Sequence, residues 1–119
     1  MNKILKEIIE IAQQWQSEKL TCYDIKIWAE QNETRILNSL EDTIGEEQEL
    51  IVTALRYLQD IDMNLTIRDD TMEFINFLNH SEANYKQSLV KWDKYLDKID
   101  YKERKKLLKS DDFYSQFCN

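Results

Sequence analysis

The chain has 119 residues, of which 42% are hydrophobic and 11% aromatic, and it carries a formal net charge of −7. This composition predicts one folded domain over residues 1–119, with a packed core rather than a disordered chain. A single glycine and no proline argue against an all-β fold and exclude phosphate-binding and dinucleotide-binding loops, which need several glycines close together.

Two helices are predicted in the first third of the chain. Apolar residues recur every three or four positions over residues 2–17, which is the stripe of an amphipathic helix. Thr21 then has the features of an N-cap, because Asp24 follows three residues later. Leu20 is placed to pack against Ile25 across this helix start. The second helix is therefore expected to begin after Thr21.

The middle of the chain predicts a short helix within residues 31–45, a turn at Gly45 and a long helix from about Glu46. Glu46, Glu47 and Glu49 occupy the first turn of the long helix, where acidic groups favour the helix dipole. The apolar face of this helix comprises Leu50, Ile51, Ala54, Leu55, Leu58 and Ile61.

A second capping pattern predicts a further helix start at Thr66, with Asp69 three residues later. Leu65 is expected to anchor the preceding corner in the core. The inner face of the new helix comprises Phe74, Ile75 and Leu78.

Two more helices are predicted after Ser81. The first carries apolar residues at a and d spacing, namely Tyr85, Leu89, Trp92, Leu96 and Ile99. Asp100 and Glu103 form a capping pattern for a last, lysine-rich helix that ends near Ser110. The sequence thus predicts an all-α fold, a single-domain bundle of about five to six amphipathic helices. The tryptophans expected in its core are Trp15, Trp28 and Trp92.

The aspartates between the long helix and the helix start expected at Thr66 raise the possibility of a calcium loop. Asp60, Asp62 and Asn64 alternate as calcium ligands do. However, Leu65 and Thr71 stand where such a loop needs its glycine and its bidentate glutamate. The stretch is therefore expected to be a structural corner.

Other metal and catalytic sites are not expected either. One histidine, His80, and two distant cysteines, Cys22 and Cys118, do not have zinc-ligand spacing. Phe77 stands where a di-iron bundle would have a glutamate three residues before the histidine. A Cys–His or Ser–His nucleophile pair stays geometrically possible, but no local pattern positions it. We expect no cofactor, no metal and no enzymatic activity.

A cytoplasmic location is expected. Glu7 and Glu10 interrupt the apolar stretch near the N-terminus, so it resembles neither a signal peptide nor a membrane span. Cys22 and Cys118 are then reduced thiols rather than a disulfide.

The charge is unevenly distributed, because residues 24–73 hold four basic and thirteen acidic side chains, a net charge of −9. We call the following residues the acidic belt: Glu41, Asp42, Glu46, Glu47, Glu49, Asp60, Asp62, Asp69, Asp70 and Glu73. The belt is either a solvated face that maintains solubility or a surface that attracts a basic partner. A basic run at residues 102–109 is interpreted as a solvated face, so no direct nucleic-acid binding is expected.

Three segments together resemble small acidic helical immunity proteins, which are encoded beside toxins of contact-dependent inhibition and other bacterial polymorphic toxin systems. The segments are WQSEKLTCYDIKIWAE, ALRYLQDIDMNLTIRDD and EFINFLN, within residues 8–79. The resemblance implies a cytoplasmic protein that binds the toxin domain of a secreted effector, often a nuclease, and blocks its active site. It transfers no individual binding residue.

The leading functional expectation is an immunity protein, monomeric when free, that captures a basic toxin domain through the acidic belt and forms a heterodimer. The alternative is a helical adaptor or regulatory subunit that presents an amphipathic groove to a partner protein. An enzyme that uses scattered carboxylates is the third. The sequence leaves open whether the acidic belt or the C-terminal helix and tail contact the partner.

Overall fold

A computed structural model describes residues 3–42, 45–61, 66, 69–79 and 85–109 of the chain. Over these ranges the chain is all-α, with seven α-helices and a 3-10 helix at Leu40–Asp42. The α-helices are α1 (Lys3–Gln16), α2 (Cys22–Gln31), α3 (Glu33–Ser39), α4 (Gly45–Gln59), α5 (Asp70–Leu78), α6 (Tyr85–Asp97) and α7 (Tyr101–Lys109). The predicted all-α bundle is confirmed, with one or two helices more than the expected number.

The short helix predicted within residues 31–45 is confirmed as α3, and Asn32 separates it from α2. The Asn32 backbone N–H and side-chain amide both donate to the carbonyl of Trp28, at 3.0 and 2.8 Å. These bonds satisfy a carbonyl at the end of α2, which otherwise has no intrahelical donor. The Asn32 side-chain oxygen accepts hydrogen bonds from Arg35 in α3. One asparagine therefore ends one helix and holds the first turn of the next.

The predicted start of α2 is confirmed in detail. Thr21 Oγ1 accepts from the backbone N–H of Asp24 at 3.1 Å, and Asp24 Oδ2 accepts from the backbone N–H of Thr21 at 2.9 Å. Together they form a reciprocal capping box. Gly45, at the start of α4, has a φ of +57°, a conformation that favours glycine.

The predicted helix start at Thr66 is wrong, because α5 begins at Asp70 with Asp69 as its N-cap residue. Thr66 is fully buried, and its hydroxyl donates to the phenolic oxygen of Tyr57 at 2.9 Å. This hydroxyl bond joins Thr66 to α4, and the N-cap position of α5 is three residues later, at Asp69. The Thr66 backbone N–H instead donates to the carbonyl of Ile61.

The core lies where α4 meets α1, α2 and α6, and where α5 packs between α1 and α6. The predicted buried face of α4 is confirmed, because all six of its apolar residues are fully buried. Trp15 and Trp92 are core residues as predicted, whereas Trp28 is half-buried against the core.

An aromatic cluster joins α4, α5 and α6. Trp92 stacks on Phe77 and Tyr95 at centroid distances of 5.1 and 5.7 Å, and it meets Tyr57 edge-on at 4.9 Å. Tyr57 also stacks on Phe74 at 5.2 Å. Such aromatic pairs add stability beyond the area they bury. The cluster fixes the position of α5 relative to α4 and α6.

Several predictions fall on residues outside the described ranges. They are the Leu65 anchor, the start at Ser81, and the thiol of Cys118. The start of α7 lies within the described ranges. There the backbone N–H of Glu103 donates to Asp100 Oδ1 at 3.1 Å, as the capping pattern predicts.

Candidate functional site

The described members of the acidic belt form two groups at opposite ends of α4. The first group is Glu41, Glu47 and Glu49, around the start of α4. The second group is Asp60, just after α4, with Asp69 and Glu73 at the start of α5. An α-helix rises about 1.5 Å per residue, so Glu49 and Asp60 are separated by about 16 Å along the α4 axis. The belt is therefore two surfaces rather than one.

Of these six residues, Glu47 is half-buried and the other five are exposed. The structure describes no side chain for Asp42 in the 3-10 helix or for Glu46 in the first turn of α4. Asp62 lies outside the described residues.

Asp70 does not belong to the exposed belt, and its predicted role as a partner-facing residue is corrected. Its side chain is fully buried in the first turn of α5. The Arg104 guanidinium donates to both carboxylate oxygens, with Nη1 2.6 Å from Oδ2 and Nη2 2.8 Å from Oδ1. The Tyr95 hydroxyl also donates to Oδ1. A buried carboxylate needs such partners, because burying an unpaired charge is costly.

The electrostatics of this cluster raise the pKa values of Tyr95 and Arg104. Burial, assisted by the hydrogen bond and charge of Asp70, raises the pKa of Tyr95 to about 12. Burial alone would lower the pKa of the Arg104 guanidinium. The hydrogen bonds and negative charge of Asp70 outweigh this effect and raise the pKa. Tyr95 therefore remains a proton donor, and Arg104 a cation, throughout the neutral range.

Tyr57 extends this cluster towards the core. Burial, followed by the negative charge of Asp70, raises the pKa of Tyr57 well above that of an exposed tyrosine. Its hydroxyl accepts the hydrogen bond from Thr66. The three elements α4, α5 and α6 thus share one polar network beside the aromatic cluster, and α7 joins it through Arg104.

The outer face of α5 combines charge with an exposed apolar side chain. Asp69, Met72, Glu73 and Asn76 are all exposed and follow the i, i+3, i+4, i+7 spacing of one helix face. Met72 is 58% exposed, although methionine is usually buried. Met72 is not among the residues predicted to face a partner. The signal was present, since Met72 falls on the polar side of a helix whose apolar residues lie elsewhere.

Two clefts flank this outer face of α5. One is an open cleft of about 410 Å³ between α1 and α5, lined by Gln16, Asp69, Thr71 and Met72. The other is a smaller cleft of about 60 Å³ between α5 and α6. It is lined by Glu73, Asn76, Phe77, Ser88, Lys91, Trp92 and Tyr95. Met72 and Glu73 thus stand on a ridge with concave surfaces on both sides, a shape into which side chains of a partner can fit.

The basic run of α7 is divided by the fold. Lys102, Lys105 and Lys106 are exposed, whereas the Arg104 guanidinium faces Asp70. One of the cations that the sequence places on a solvated face is therefore part of the polar network.

Within the described parts of the chain, no group of three or more His, Cys, Asp or Glu side chains is placed to hold a metal ion. Among the helices that the structure describes, none has the length and apolar character to cross a membrane. Comparison of the chain with protein-family models, curated proteins and solved structures finds no match. The resemblance to immunity proteins thus stays a prediction.

Proposed function

We propose that the chain is an immunity protein that binds a cognate bacterial toxin domain and neutralises it by covering its active site. The observation that carries the proposal is the outer face of α5, where the exposed Met72 lies between Asp69 and Glu73. This face contains Asp69 and Glu73 of the second acidic group, with Met72 as an apolar anchor between them. The resemblance within residues 8–79 supports the same function.

The charge distribution supports a basic toxin domain, such as a nuclease, as the partner. Residues 24–73 carry a net charge of −9, which attracts a basic domain and accelerates its association. A methionine is a flexible, polarisable anchor that adapts to apolar surfaces. The open cleft beside Met72 offers room for a side chain of the toxin. Capture by charge is thus followed by burial of an apolar contact.

A protein that blocks an active site by covering it needs a complementary surface but no catalytic group of its own. We therefore propose a non-enzymatic protein without a cofactor, which acts in the cytoplasm and forms a heterodimer with the toxin domain. The proposed contact does not involve nucleic acid or a membrane.

Co-expression with the toxin encoded beside this gene tests the proposal. Wild-type protein is expected to restore growth, and Met72→Ala to weaken toxin binding by about tenfold or more if Met72 is an anchor. Val90→Ala is the matched control, because Val90 is 48% exposed on α6 and lies outside this face. Absence of both growth rescue and a complex would refute the immunity function, and equal effects of the two variants would remove α5 from the interface.

The open cleft between α1 and α5 favours a second candidate, an adaptor that receives a helix or loop of a partner protein. Salt separates the two functions. Capture by the acidic surface slows as ionic strength rises, whereas binding of a partner segment in an amphipathic groove changes little.

A further inference from the structure

The buried carboxylate of Asp70 is held as a guanidinium receptor. Both of its oxygens accept hydrogen bonds from Arg104, at 2.6 and 2.8 Å, and the Tyr95 hydroxyl donates to Oδ1 as well. The two parallel bonds are the bidentate geometry in which a planar guanidinium fits a carboxylate. Asp70 is fully buried and Tyr95 is held by stacking on Trp92, so the receptor side of this contact is rigid.

Arg104 is supplied by a helix whose other described side chains are exposed. Among the α7 side chains that the structure describes, residues 101–106, Arg104 is the one that is not exposed. Tyr101 is 40% exposed, and the neighbouring lysines and Glu103 are exposed as well. Over these residues, Arg104 is thus the least exposed side chain of α7.

We propose that Asp70 and Tyr95 form an arginine-binding site that Arg104 closes from within the chain, and that an arginine of the basic partner enters when α7 moves away. The identity of the incoming arginine rests on the proposed function, whereas the site itself does not. Asp69 and Glu73, exposed in the same turn of α5, provide the negative charge that draws a cationic side chain to this position.

The chemistry of the site selects arginine over lysine. A guanidinium presents several N–H groups in one plane and satisfies two carboxylate oxygens together, whereas an ammonium is a compact, strongly hydrated charge. The site is also mostly closed to water, since the Arg104 side chain is 13% exposed. Lysine would have to lose more hydration in exchange for poorer geometry.

The variant Arg104→Ala opens the site, and N-acetylarginine amide is the probe. At ten times its dissociation constant, the probe should raise the melting temperature of this variant by about 6 °C. N-acetyllysine amide is the matched control and should produce little change. The double variant Asp70→Asn, Arg104→Ala should not respond to the arginine probe.

In the wild-type chain the probe competes with Arg104. Excess N-acetylarginine amide should accelerate hydrogen exchange of the α7 backbone amides several-fold and leave those of α1 unchanged, because only α7 is displaced. A toxin complex should accelerate exchange in α7 in the same way.

Equal responses to the arginine and lysine probes, or a response that persists in the double variant, would overturn the proposal.

If Arg104→Ala does not fold alone, refolding on addition of the arginine probe supports the site. If it does not refold, the variant Arg104→Lys is tested, because lysine keeps the positive charge without the planar guanidinium. Stabilisation of this variant by the arginine probe and not by the lysine probe supports the site, and lack of that selectivity overturns it. If the toxin complex leaves the hydrogen exchange of α7 unchanged, the proposal that an arginine of the toxin replaces Arg104 is overturned. Absence of any complex would contradict the proposed function, and the probe titration would still decide the site.

Discussion

Arg104 and Asp70 lie 34 residues apart in the chain and meet through a bidentate ion pair, in which the carboxylate is fully buried and the guanidinium side chain is 13% exposed. Arg104→Ala leaves this carboxylate without its cation. We expect the free energy of unfolding to fall by about 3–5 kcal/mol, because the desolvation cost of Asp70 remains. Urea denaturation followed by tryptophan fluorescence measures the loss.

Arg35→Ala is the matched control for that substitution. Arg35 also holds a carboxylate with two nitrogens, at 3.0 and 2.5 Å from the oxygens of Glu7. The pair is solvated, because the two side chains are 48% and 36% exposed. We expect a loss of about 0–1 kcal/mol, as for other surface pairs. Similar losses for the two arginines would show that burial does not determine the strength of the Asp70 pair.

The hydrogen bond between Thr66 and Tyr57 predicts a coupled effect. Thr66→Val preserves the shape but removes the donor, which leaves the buried Tyr57 hydroxyl without its bond from Thr66. We expect a loss of about 1–2 kcal/mol. The double variant with Tyr57→Phe should lose less than the two single variants added together, since both remove the same bond. Strict additivity in urea titrations would contradict this coupling.

The raised tyrosine pKa values predict instability at high pH. The pKa of Tyr95 is about 12 in the folded chain, against about 10 for an unfolded tyrosine, so the folded state keeps this proton longer. The contribution is fully present below about pH 10 and is lost as the pH rises towards 12. Tyr57 acts in the same direction. Tyr95→Phe should therefore flatten the decline of the urea midpoint with pH, and an unchanged slope would refute the assignment.

Charge reversal separates the two acidic groups. One variant changes Asp60, Asp69 and Glu73 to lysine, and the other changes Glu41, Glu47 and Glu49. Both variants change the net charge by the same amount, so a difference between their association rates shows which acidic group faces the toxin. If α5 faces the toxin, the first variant should have the lower association rate, and its rate should depend less on salt than that of the wild type. Stopped-flow measurements with the toxin domain would show equal rates if only overall charge matters.

Local patterns predicted the helices well and the polar network poorly, as two similar segments illustrate. Leu20 to Asp24 and Leu65 to Asp69 have the same LTxxD pattern. The first forms the expected capping box, whereas the Thr66 hydroxyl bonds to Tyr57 instead. A capping pattern extends over four residues, so it contains no information on a partner in another helix. The tertiary contact determines which of the two arrangements forms.

The same limit applies to the acidic belt. Asp70 has the sequence features of a surface residue, since it follows Asp69 and precedes Glu73, both of which are exposed. What buries it is Arg104, a residue of α7 within a run of lysines. Conversely, Met72 is apolar and exposed. Composition and helical period assign a residue to a face, but the packing of α1, α6 and α7 around α5 determines what covers that face.

The order in which the chain is synthesised makes the Asp70 pair a late event. The 34 residues from Thr71 to Arg104 take about 2–7 s to translate at typical rates. Since α5 ends at Leu78, α1 to α5 have been synthesised for most of that interval, while Asp70 has no guanidinium to accompany its burial. We expect the nascent chain to resist closing α5 onto the core until Arg104 has been made. Completion of the fold is coupled in this way to completion of the helix that carries Arg104.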